Sequence, residues 1–462
     1  MRHFDFLVIG SGPAGQRAAI QAAKLGCNVA IVERRPVVGG VSVHTGTIPS
    51  KTLREAALYL SGWDQRGVYG QNYRLKKKIG IEDLMKRLDI TLHHEIEVME
   101  NQLMRNGITV IHGIASFTDP HTIEVERPDG TKEHYTADKF LIAVGSRPAR
   151  PEGIPFDNET IIDSDGILNL KRLPRSMIVV GAGVIGVEYA SIFSTLDVRI
   201  TLVDGRPTLL DFMDREIVDE LVHAMRERGM VLRLGEKVEQ VEKDPQGHVV
   251  CWLESGKRLV AETILFAAGR IGCTYALGLE NAGLQTDARR RLRVNEHFQT
   301  EVPHIYAAGD VIGFPALAST SMDQGRLAAC HAMGVEGCTT QEYFPFGIYA
   351  VPEVSMIGAT ERELTEQKVP YETGVCRLRE TARGQIMGLQ EGILKLLIRI
   401  EDHRLLGVHI IGEGATELVH IGQAVLTLGG TLEYFLENVF NYPTLAEAYK
   451  VAALDAWNRL ML

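Results

Sequence analysis

The stretch "FDFLVIGSGPAGQRAAIQAAKLGCNVAIVERR", residues 4–35, decides the fold. An apolar run leads into glycines at the spacing G-x-G-x-x-G (Gly10, Gly12, Gly15), an alanine-rich helical pattern follows, and a second apolar run ends at Glu33. This order predicts a βαβ unit: the first glycine makes a tight turn, the second admits a pyrophosphate, and the third lets helix and strand pack closely. The helix N-terminus then faces the anion, and Glu33 accepts hydrogen bonds from a ribose.

The pattern returns in "RSMIVVGAGVIGVEYASIFSTLDVRITLVDGR", residues 175–206, with Gly181, Gly183 and Gly186 and a strand that ends at Asp204. A single G-x-G-x-x-G run is weak evidence for a nucleotide site, since glycines also serve ordinary tight turns. Two copies, each placed between a strand and a helix and each followed by an acidic residue, predict two nucleotide sites.

The second copy ends on two residues that favour different nicotinamide nucleotides. Asp204 suits the free 2′-hydroxyl of NAD, whereas Arg206 suits the 2′-phosphate of NADP. Together they permit a site that accepts both nucleotides. The alternative is that Arg206 is a solvated loop charge, as surface arginines usually are.

Size and composition limit the remaining possibilities. A chain of 462 residues predicts two to four domains. The net charge of -10 argues against a general nucleic-acid or anionic-membrane binder. The six cysteines lack CxxC or CxxxxC spacing, which argues against a zinc site or disulfide framework. We expect no signal peptide and a cytoplasmic protein, because a strand pattern begins at residue 3.

Later segments extend the layout. "FLIAVGSRP" and "ILFAAGR" predict strands that end at Gly145 and Gly269, and "HIYAAGDVIG" predicts a strand running into Gly309 and Asp310. An aspartate there could bind a ribityl or pyrophosphate hydroxyl. From Tyr343 the pattern predicts antiparallel strands and then helices near residues 417–428 and 445–460, which is typical of an interface module.

The run that holds His93, His94 and Glu95 lacks HExxH spacing, so it favours a polar helix and no metal site.

The motifs "GSGPAG", "GTIPSK", "GAGVIGVE", "AAGR", "YAAGD" and "YPTLAEA", in this order, resemble the flavoprotein disulfide reductases, the group that contains lipoamide dehydrogenase and glutathione reductase. The resemblance implies an α/β fold with two Rossmann-like domains and a C-terminal α+β dimerisation domain. It implies an FAD domain at residues 1–148 and 271–340, an NAD(P) domain at 149–270 and a dimerisation domain at 341–462. It further implies a homodimer in which the C-terminal domain completes the partner's active site.

The same resemblance assigns the candidate site residues. The expected FAD residues are Gly10, Gly12, Pro13, Ala14, Gly15, Glu33, Arg34, Gly40, Thr47, Lys51, Gly145, Gly309 and Asp310. The expected NAD(P) residues are Gly181, Gly183, Ile185, Gly186, Glu188, Asp204, Arg206 and Gly269. The expected catalytic positions are Lys51, Glu188, Thr47, Tyr442 and Glu447, with Lys51 and Glu188 forming an ion pair beside the flavin N5.

Two departures from the family pattern bear on function. Ser42 and Thr47 stand where the redox cysteines would be, and hydroxyls cannot shuttle electrons as a dithiol does. Tyr442 stands where the family places a histidine, and a tyrosine with a pKa of about 10 is no base at neutral pH. Glu447, the usual partner of that histidine, is retained. A disulfide substrate is therefore not expected.

What remains is hydride entering and leaving at one flavin. Within the family, "HTGTIPSK" and "FNYPTLAEAYKVAAL" resemble members that exchange hydride between NADPH and NAD+. We therefore expect a ping-pong exchange, with NAD(H) and NADP(H) as substrates. The alternatives are an NAD(P)H:quinone reductase and a non-catalytic FAD-bound subunit, and retention of Lys51 and Glu188 speaks against the second.

Overall fold

The computed structural model describes residues 2–70, 72–335 and 342–461. Within them the chain divides into two compact units. The first contains residues 2–52, 85–149 and 269–335, and the second contains residues 53–70, 72–84, 150–268 and 342–461. No helix in the described ranges is long and apolar enough to cross a membrane.

The strands, in chain order, are β1 Arg2–Ile9, β2 Val29–Glu33, β3 Thr109–His112, β4 Ile114–Asp119, β5 Thr122–Glu126, β6 Lys132–Ile142, β7 Ser146–Pro148, β8 Ile161–Asp163, β9 Ser176–Val180, β10 Arg199–Asp204, β11 Val231–Leu234, β12 Val238–Lys243, β13 Val249–Leu253, β14 Arg258–Ala261, β15 Thr263–Phe266, β16 Arg270–Gly272, β17 Ile305–Ala307, β18 Phe346–Ile348, β19 Val354–Gly358, β20 Tyr371–Arg377, β21 Ile393–Arg399 and β22 Leu405–Ile411.

The α-helices are α1 Pro13–Lys24, α2 Gly40–His44, α3 Thr47–Ser61, α4 Arg66–Tyr69, α5 Ile81–Arg105, α6 Val184–Thr195, α7 Arg215–Glu227, α8 Ala318–Ala332, α9 Glu361–Glu366, α10 Ala382–Met387, α11 Ala415–Thr427, α12 Leu432–Glu437 and α13 Glu447–Leu460.

The first unit is built on a sheet in the order β3-β2-β1-β6-β5-β4, with β17 also paired to β6. Strands β3, β2, β1, β6 and β17 run parallel, while β4 and β5 are antiparallel. All five residues of β2 are buried, as expected for a parallel strand covered on both faces. The carboxyl ends of β1 and β17 carry Gly10 and Gly309, so this sheet presents the first glycine turn and the "YAAGD" motif at one edge.

The second unit contains three sheets. A parallel sheet in the order β11-β10-β9-β15-β8 repeats the βαβ arrangement through β9, α6 and β10. A three-stranded antiparallel sheet, β12-β13-β14, follows it in the chain. The C-terminal sheet, β18-β19-β22-β21-β20, is antiparallel, and residues of α11, α12 and α13 share its apolar core.

These elements confirm the α/β fold class predicted from the sequence. Helices α11 and α13 match the two expected C-terminal helices to within a few residues, and the His93 run lies on the long helix α5. Helix α12 was not predicted. The division into three domains stays a prediction. The cysteines in the described residues form no disulfide, and Cys338 lies outside them.

Helices α1 and α8 of the first unit pack backbone to backbone. A methyl group added at Gly325 of α8 would lie 2.1 Å from the carbonyl oxygen of Ala14 in α1. No heavy atoms pack at that separation, so the glycine permits this helix contact. The contact lies directly beside the turn at Gly10 to Gly15 and therefore supports it.

We expect Gly325→Ala to lower the unfolding temperature by several degrees, because overpacking costs about 1–3 kcal/mol. Helix propensity alone predicts the reverse, since alanine is favoured over glycine by about 1 kcal/mol. Thermal unfolding followed by circular dichroism measures the sign. Ser319→Ala, an exposed position on the same helix, is the control. An unchanged or raised unfolding temperature in Gly325→Ala would contradict the packing described.

Candidate cofactor and nucleotide sites

The first glycine turn is closed to side chains at two positions. Gly10 has φ of +106°, and a Cβ there would lie 2.4 Å from the carbonyl oxygen of Ala143. A Cβ at Gly15 would lie 1.9 Å from the carbonyl oxygen of Gly10. The predicted roles in turning and packing therefore have a direct steric basis.

The start of α1 fits a pyrophosphate. Gly12 is the N-cap, Pro13 is the first helical residue, and no side chain caps the helix. The N–H groups of Ala14 and Gly15 belong to the first turn, which has no intrahelical acceptors. A Cβ at Gly40 would lie 2.7 Å from Gly12 Cα, so glycine is required on the facing segment too. Helix N-termini of this kind bind phosphate groups.

Glu33 is held firmly at the end of β2. It is buried, and its Oε2 accepts hydrogen bonds from the Ser11 N–H at 3.0 Å and the Ser11 hydroxyl at 2.5 Å. Its Oε1 accepts from the Arg35 N–H at 2.9 Å. An ionised carboxylate has about four acceptor positions, so capacity remains for a ribose hydroxyl. The Ser11 hydroxyl also accepts the Gly39 N–H at 3.0 Å, a role that sequence reasoning missed.

Asp310 belongs to a polar group that the sequence did not reveal. Its Oδ2 accepts a hydrogen bond from the Ser146 hydroxyl at 2.6 Å, and Arg270 donates from Nε to the Ser146 hydroxyl oxygen at 2.8 Å. The Gly309 N–H donates to the side chain of Gln324 at 2.9 Å. These contacts orient Asp310 at the end of β17, where the FAD role was predicted.

Gly145 and Gly269 share a left-handed backbone with open space around it. Their φ angles are +69° and +103°, and no heavy atom would meet a Cβ at either position within 4 Å. Gly269 was predicted for the nicotinamide nucleotide. It lies in the first unit, where its carbonyl accepts the Ala149 N–H at 3.0 Å. Its nucleotide role stays a prediction, as does that of Arg34, which contacts the Tyr275 hydroxyl at 3.3 Å.

The two positions expected for redox cysteines have different surroundings. Ser42 is buried in α2 and donates to the Gly39 carbonyl at 2.9 Å. Thr47 is exposed and begins α3, and Lys51 follows one turn later with its Nζ donating to Ser50 Oγ at 3.3 Å. Neither hydroxyl supplies redox chemistry.

The second glycine turn, in the second unit, repeats the first closely. Gly181 has φ of +108°, and a Cβ there would lie 2.4 Å from the Ala267 carbonyl oxygen. A Cβ at Gly186 would lie 1.8 Å from the Gly181 carbonyl oxygen. Gly183 is the N-cap of α6, again without a side-chain cap, and Ile185 lies in its first turn. This helix start therefore also fits a pyrophosphate.

Asp204, at the end of β10, carries four hydrogen bonds. Its Oδ2 accepts the Ala182 N–H at 2.5 Å and Arg206 Nη2 at 2.9 Å. Its Oδ1 accepts the Arg206 N–H at 2.7 Å and Arg206 Nε at 3.1 Å. Burial raises the pKa of Asp204, but the hydrogen bonds from Arg206 and Ala182 outweigh it and hold the pKa below the usual value. The carboxylate is thus ionised and fully engaged at neutral pH.

Glu188 and Lys51 lie in different units, so their predicted ion pair stays a prediction. Glu188 is 3% exposed on α6, and its Oε1 accepts the Tyr349 N–H at 2.9 Å. A buried carboxylate held by a backbone N–H has a fixed position. Tyr349, which immediately follows β18, was not identified from the sequence.

Tyr442 and Glu447 are close in sequence but differ in exposure. Tyr442 is 72% exposed. Glu447 begins α13, and its Oε1 accepts the Ala382 N–H at 3.0 Å, while its Oε2 is buried with no partner among the described residues. Glu447 therefore ties α10 to α13, a structural contact. A catalytic part for either residue stays a prediction.

Comparison with known proteins identifies the family. Residues 4–325 match the pyridine nucleotide-disulphide oxidoreductase model, and residues 344–453 match the dimerisation domain of the same family. The chain belongs to the pyridine nucleotide-disulphide oxidoreductase family. It is thus an oxidoreductase, and this family binds FAD and uses nicotinamide nucleotides. The two uncapped helix starts fit the pyrophosphates of those two groups.

Relatives and solved structures in this family cover the whole chain. The chain is 56% identical over 461 residues to a soluble pyridine nucleotide transhydrogenase of Mycobacterium tuberculosis, covering 100% of this chain and 98% of the relative. It is 46% identical to the transhydrogenase of Klebsiella pneumoniae, covering 99% and 98%. The crystal structure of LpdA from Mycobacterium tuberculosis has a TM-score of 0.89 at 26% identity and covers 100% of both chains. The Cu(II) complex of the flavoprotein disulfide reductase RclA from Escherichia coli has a TM-score of 0.88 at 26% identity and covers 98% and 99%.

One carboxylate cluster in this family member resembles a cation site but holds a lysine. Asp214, Glu216 and Glu361 bring three carboxylates together in the second unit. The Lys395 ammonium, which is fully buried, bonds to Asp214 at 2.9 Å, to Glu216 at 3.0 Å and to Glu361. The cluster is therefore an ion-pair network that joins α7 and α9 to β21.

We expect Ser11→Ala to weaken FAD binding about tenfold, since hydrogen bonds to charged groups contribute about 1.5–3 kcal/mol. The variant removes the hydroxyl that bonds Glu33 and accepts the Gly39 N–H. Reconstitution of the apoprotein, followed by quenching of FAD fluorescence, gives the dissociation constant. Ser319→Ala is the control. Unchanged FAD affinity in Ser11→Ala would show that Glu33 does not depend on this contact.

Proposed function

We propose that the protein transfers hydride reversibly from NADPH to NAD+ through FAD, and that the two nicotinamide nucleotides use one site in turn. The observation that carries the proposal is the Asp204–Arg206 pair, which joins an acceptor for a ribose hydroxyl and a cation for a 2′-phosphate at one turn. The similarity to proteins named as transhydrogenases supports it. The serine and threonine at the cysteine positions support it as well, because no thiol relay is required.

The chain's residues supply binding and positioning. The start of α6 at Gly183 binds the pyrophosphate of either nucleotide. Arg206 pairs with the 2′-phosphate of NADPH, and Asp204 accepts the 2′-hydroxyl of NADH. Bound FAD supplies the acceptor and donor of hydride. Lys51 would supply a positive charge that favours the negative charge accompanying hydride arrival at bound FAD.

We also infer a homodimer. The family's dimerisation domain spans residues 344–453, and that segment carries strongly exposed apolar side chains at Val439 (93%) and Tyr442 (72%). Exposed apolar residues on such a domain suit contact with a second copy.

Steady-state kinetics with NADPH and thio-NAD+ test the exchange. We expect parallel lines in double-reciprocal plots, because one nucleotide must leave before the other enters. Intersecting lines would show both nucleotides bound together and would contradict a shared site. Turnover with a quinone but none with thio-NAD+ would identify a quinone reductase instead. Turnover of lipoamide or glutathione disulfide would contradict the absence of a thiol relay.

Variants of Asp204 and Arg206 test how this pair recognises the two nucleotides. We expect Arg206→Ala to raise KM for NADPH about tenfold or more with little change for NADH, since it loses a charge-assisted hydrogen bond. We expect Asp204→Ala to raise KM for NADH selectively. Initial rates with each nucleotide as donor give both values. Equal losses for NADPH and NADH in either variant would contradict dual recognition.

A further inference from the structure

The Arg206 guanidinium already forms hydrogen bonds to protein carboxylates, although the proposed nucleotide site requires the same guanidinium. It bonds both oxygens of Asp204, and its Nη1 bonds Asp211 Oδ1 at 3.1 Å. Its Nη2 lies 3.9 Å from the position of a Cβ on Gly183, so the guanidinium covers the start of α6. The side chain is 42% exposed and therefore has room to move.

This arrangement obstructs both nucleotides. The four hydrogen bonds on Asp204 use all of the roughly four acceptor positions of a carboxylate. Two of the four come from backbone N–H groups, and the other two come from the guanidinium. A ribose 2′-hydroxyl gains an acceptor only when Arg206 leaves Asp204. Three of the five guanidinium N–H groups bond the two aspartates, so both carboxylates compete with a 2′-phosphate for the charge of Arg206.

Asp211 is well placed to hold a displaced Arg206. It lies in the segment between β10 and α7, directly after Leu210, which is fully buried. The Leu210 N–H donates to the Ala182 carbonyl at 3.3 Å, so this segment is fixed against the glycine turn. Asp211 itself is 52% exposed and stays accessible to the guanidinium.

We propose that Asp211 sets the balance between the two nucleotides by retaining Arg206 when NAD(H) occupies the site and by competing for it when NADP(H) arrives. The proposal rests on the shared site described above. With NADH bound, Arg206 leaves Asp204 and remains on Asp211. With NADPH bound, the 2′-phosphate competes with both carboxylates for Arg206. Asp211 thereby favours NAD(H) and opposes NADP(H).

Asp211 is expected to affect NAD(H) binding and NADP(H) binding with opposite signs. Damage to the fold would weaken binding of both nucleotides. Removing the charge of Asp211 should tighten binding of a 2′-phosphate and weaken binding of a free 2′-hydroxyl. Exposed ion pairs contribute little, so each change should be about two- to fivefold. Both changes should disappear when Arg206 is absent, because Asp211 acts through it.

Isothermal titration calorimetry of the FAD-bound protein with adenosine 2′,5′-bisphosphate and with 5′-AMP measures the affinity for a 2′-phosphate and for a free 2′-hydroxyl. These probes carry no nicotinamide, so the result is independent of hydride transfer. We expect Asp211→Asn to bind the bisphosphate two- to fivefold more tightly and 5′-AMP more weakly. The control Asp219→Asn, which removes an exposed Arg215–Asp219 pair on α7, should change neither.

The double variant Arg206→Gln/Asp211→Asn decides the mechanism. If Asp211→Asn still tightens bisphosphate binding in the Arg206→Gln background, the effect is only reduced charge repulsion between Asp211 and the phosphate. That result would overturn the proposal. No effect of Asp211→Asn, together with weakened bisphosphate binding in Arg206→Gln, would overturn the role of Asp211 and leave the shared site intact. Undiminished bisphosphate binding in Arg206→Gln would instead contradict 2′-phosphate recognition by Arg206, on which the proposed function rests.

Discussion

Two very short backbone approaches occur inside the two glycine turns, and both candidate nucleotide sites depend on them. A Cβ at Gly15 would lie 1.9 Å from the Gly10 carbonyl oxygen, and a Cβ at Gly186 would lie 1.8 Å from the Gly181 carbonyl oxygen. Because only glycine permits this approach, each helix begins directly against the end of its strand. No side chain caps the N–H groups of the first helical turn, so each helix start fits a phosphate.

The two glycine turns share the same backbone hydrogen bonds to an acidic residue and differ in the side chain that bonds this residue. In both, the acidic residue that ends the second strand accepts the N–H of the residue between the first two glycines and the N–H two positions after itself. Glu33 adds the Ser11 hydroxyl, a neutral and buried donor, whereas Asp204 adds the guanidinium of Arg206, which is partly exposed. A buried serine contact suits a cofactor that stays bound. An exchangeable guanidinium suits nucleotides that alternate.

Local pattern was sufficient to predict the glycine turns, the helices that follow them, the acidic residues and the antiparallel C-terminal sheet. Contacts between distant segments were not predictable. Ser146 and Asp310 are far apart in sequence and meet only because β6 pairs with β17. Lys395 lies in the apolar run "ILKLLIRI", where nothing indicates that its ammonium is neutralised by Asp214. The short helix α12 was missed because its length gives little periodicity.

In the proposed function, hydride passes between two nucleotides through one flavin without a thiol relay. Anaerobic stopped-flow mixing with one equivalent of NADPH and then with NAD+ follows both half-reactions of this exchange. We predict loss of flavin absorbance without a thiolate–flavin charge-transfer band, followed by its full return with stoichiometric NADH. A charge-transfer band, or flavin absorbance that NAD+ fails to restore, would contradict the claim.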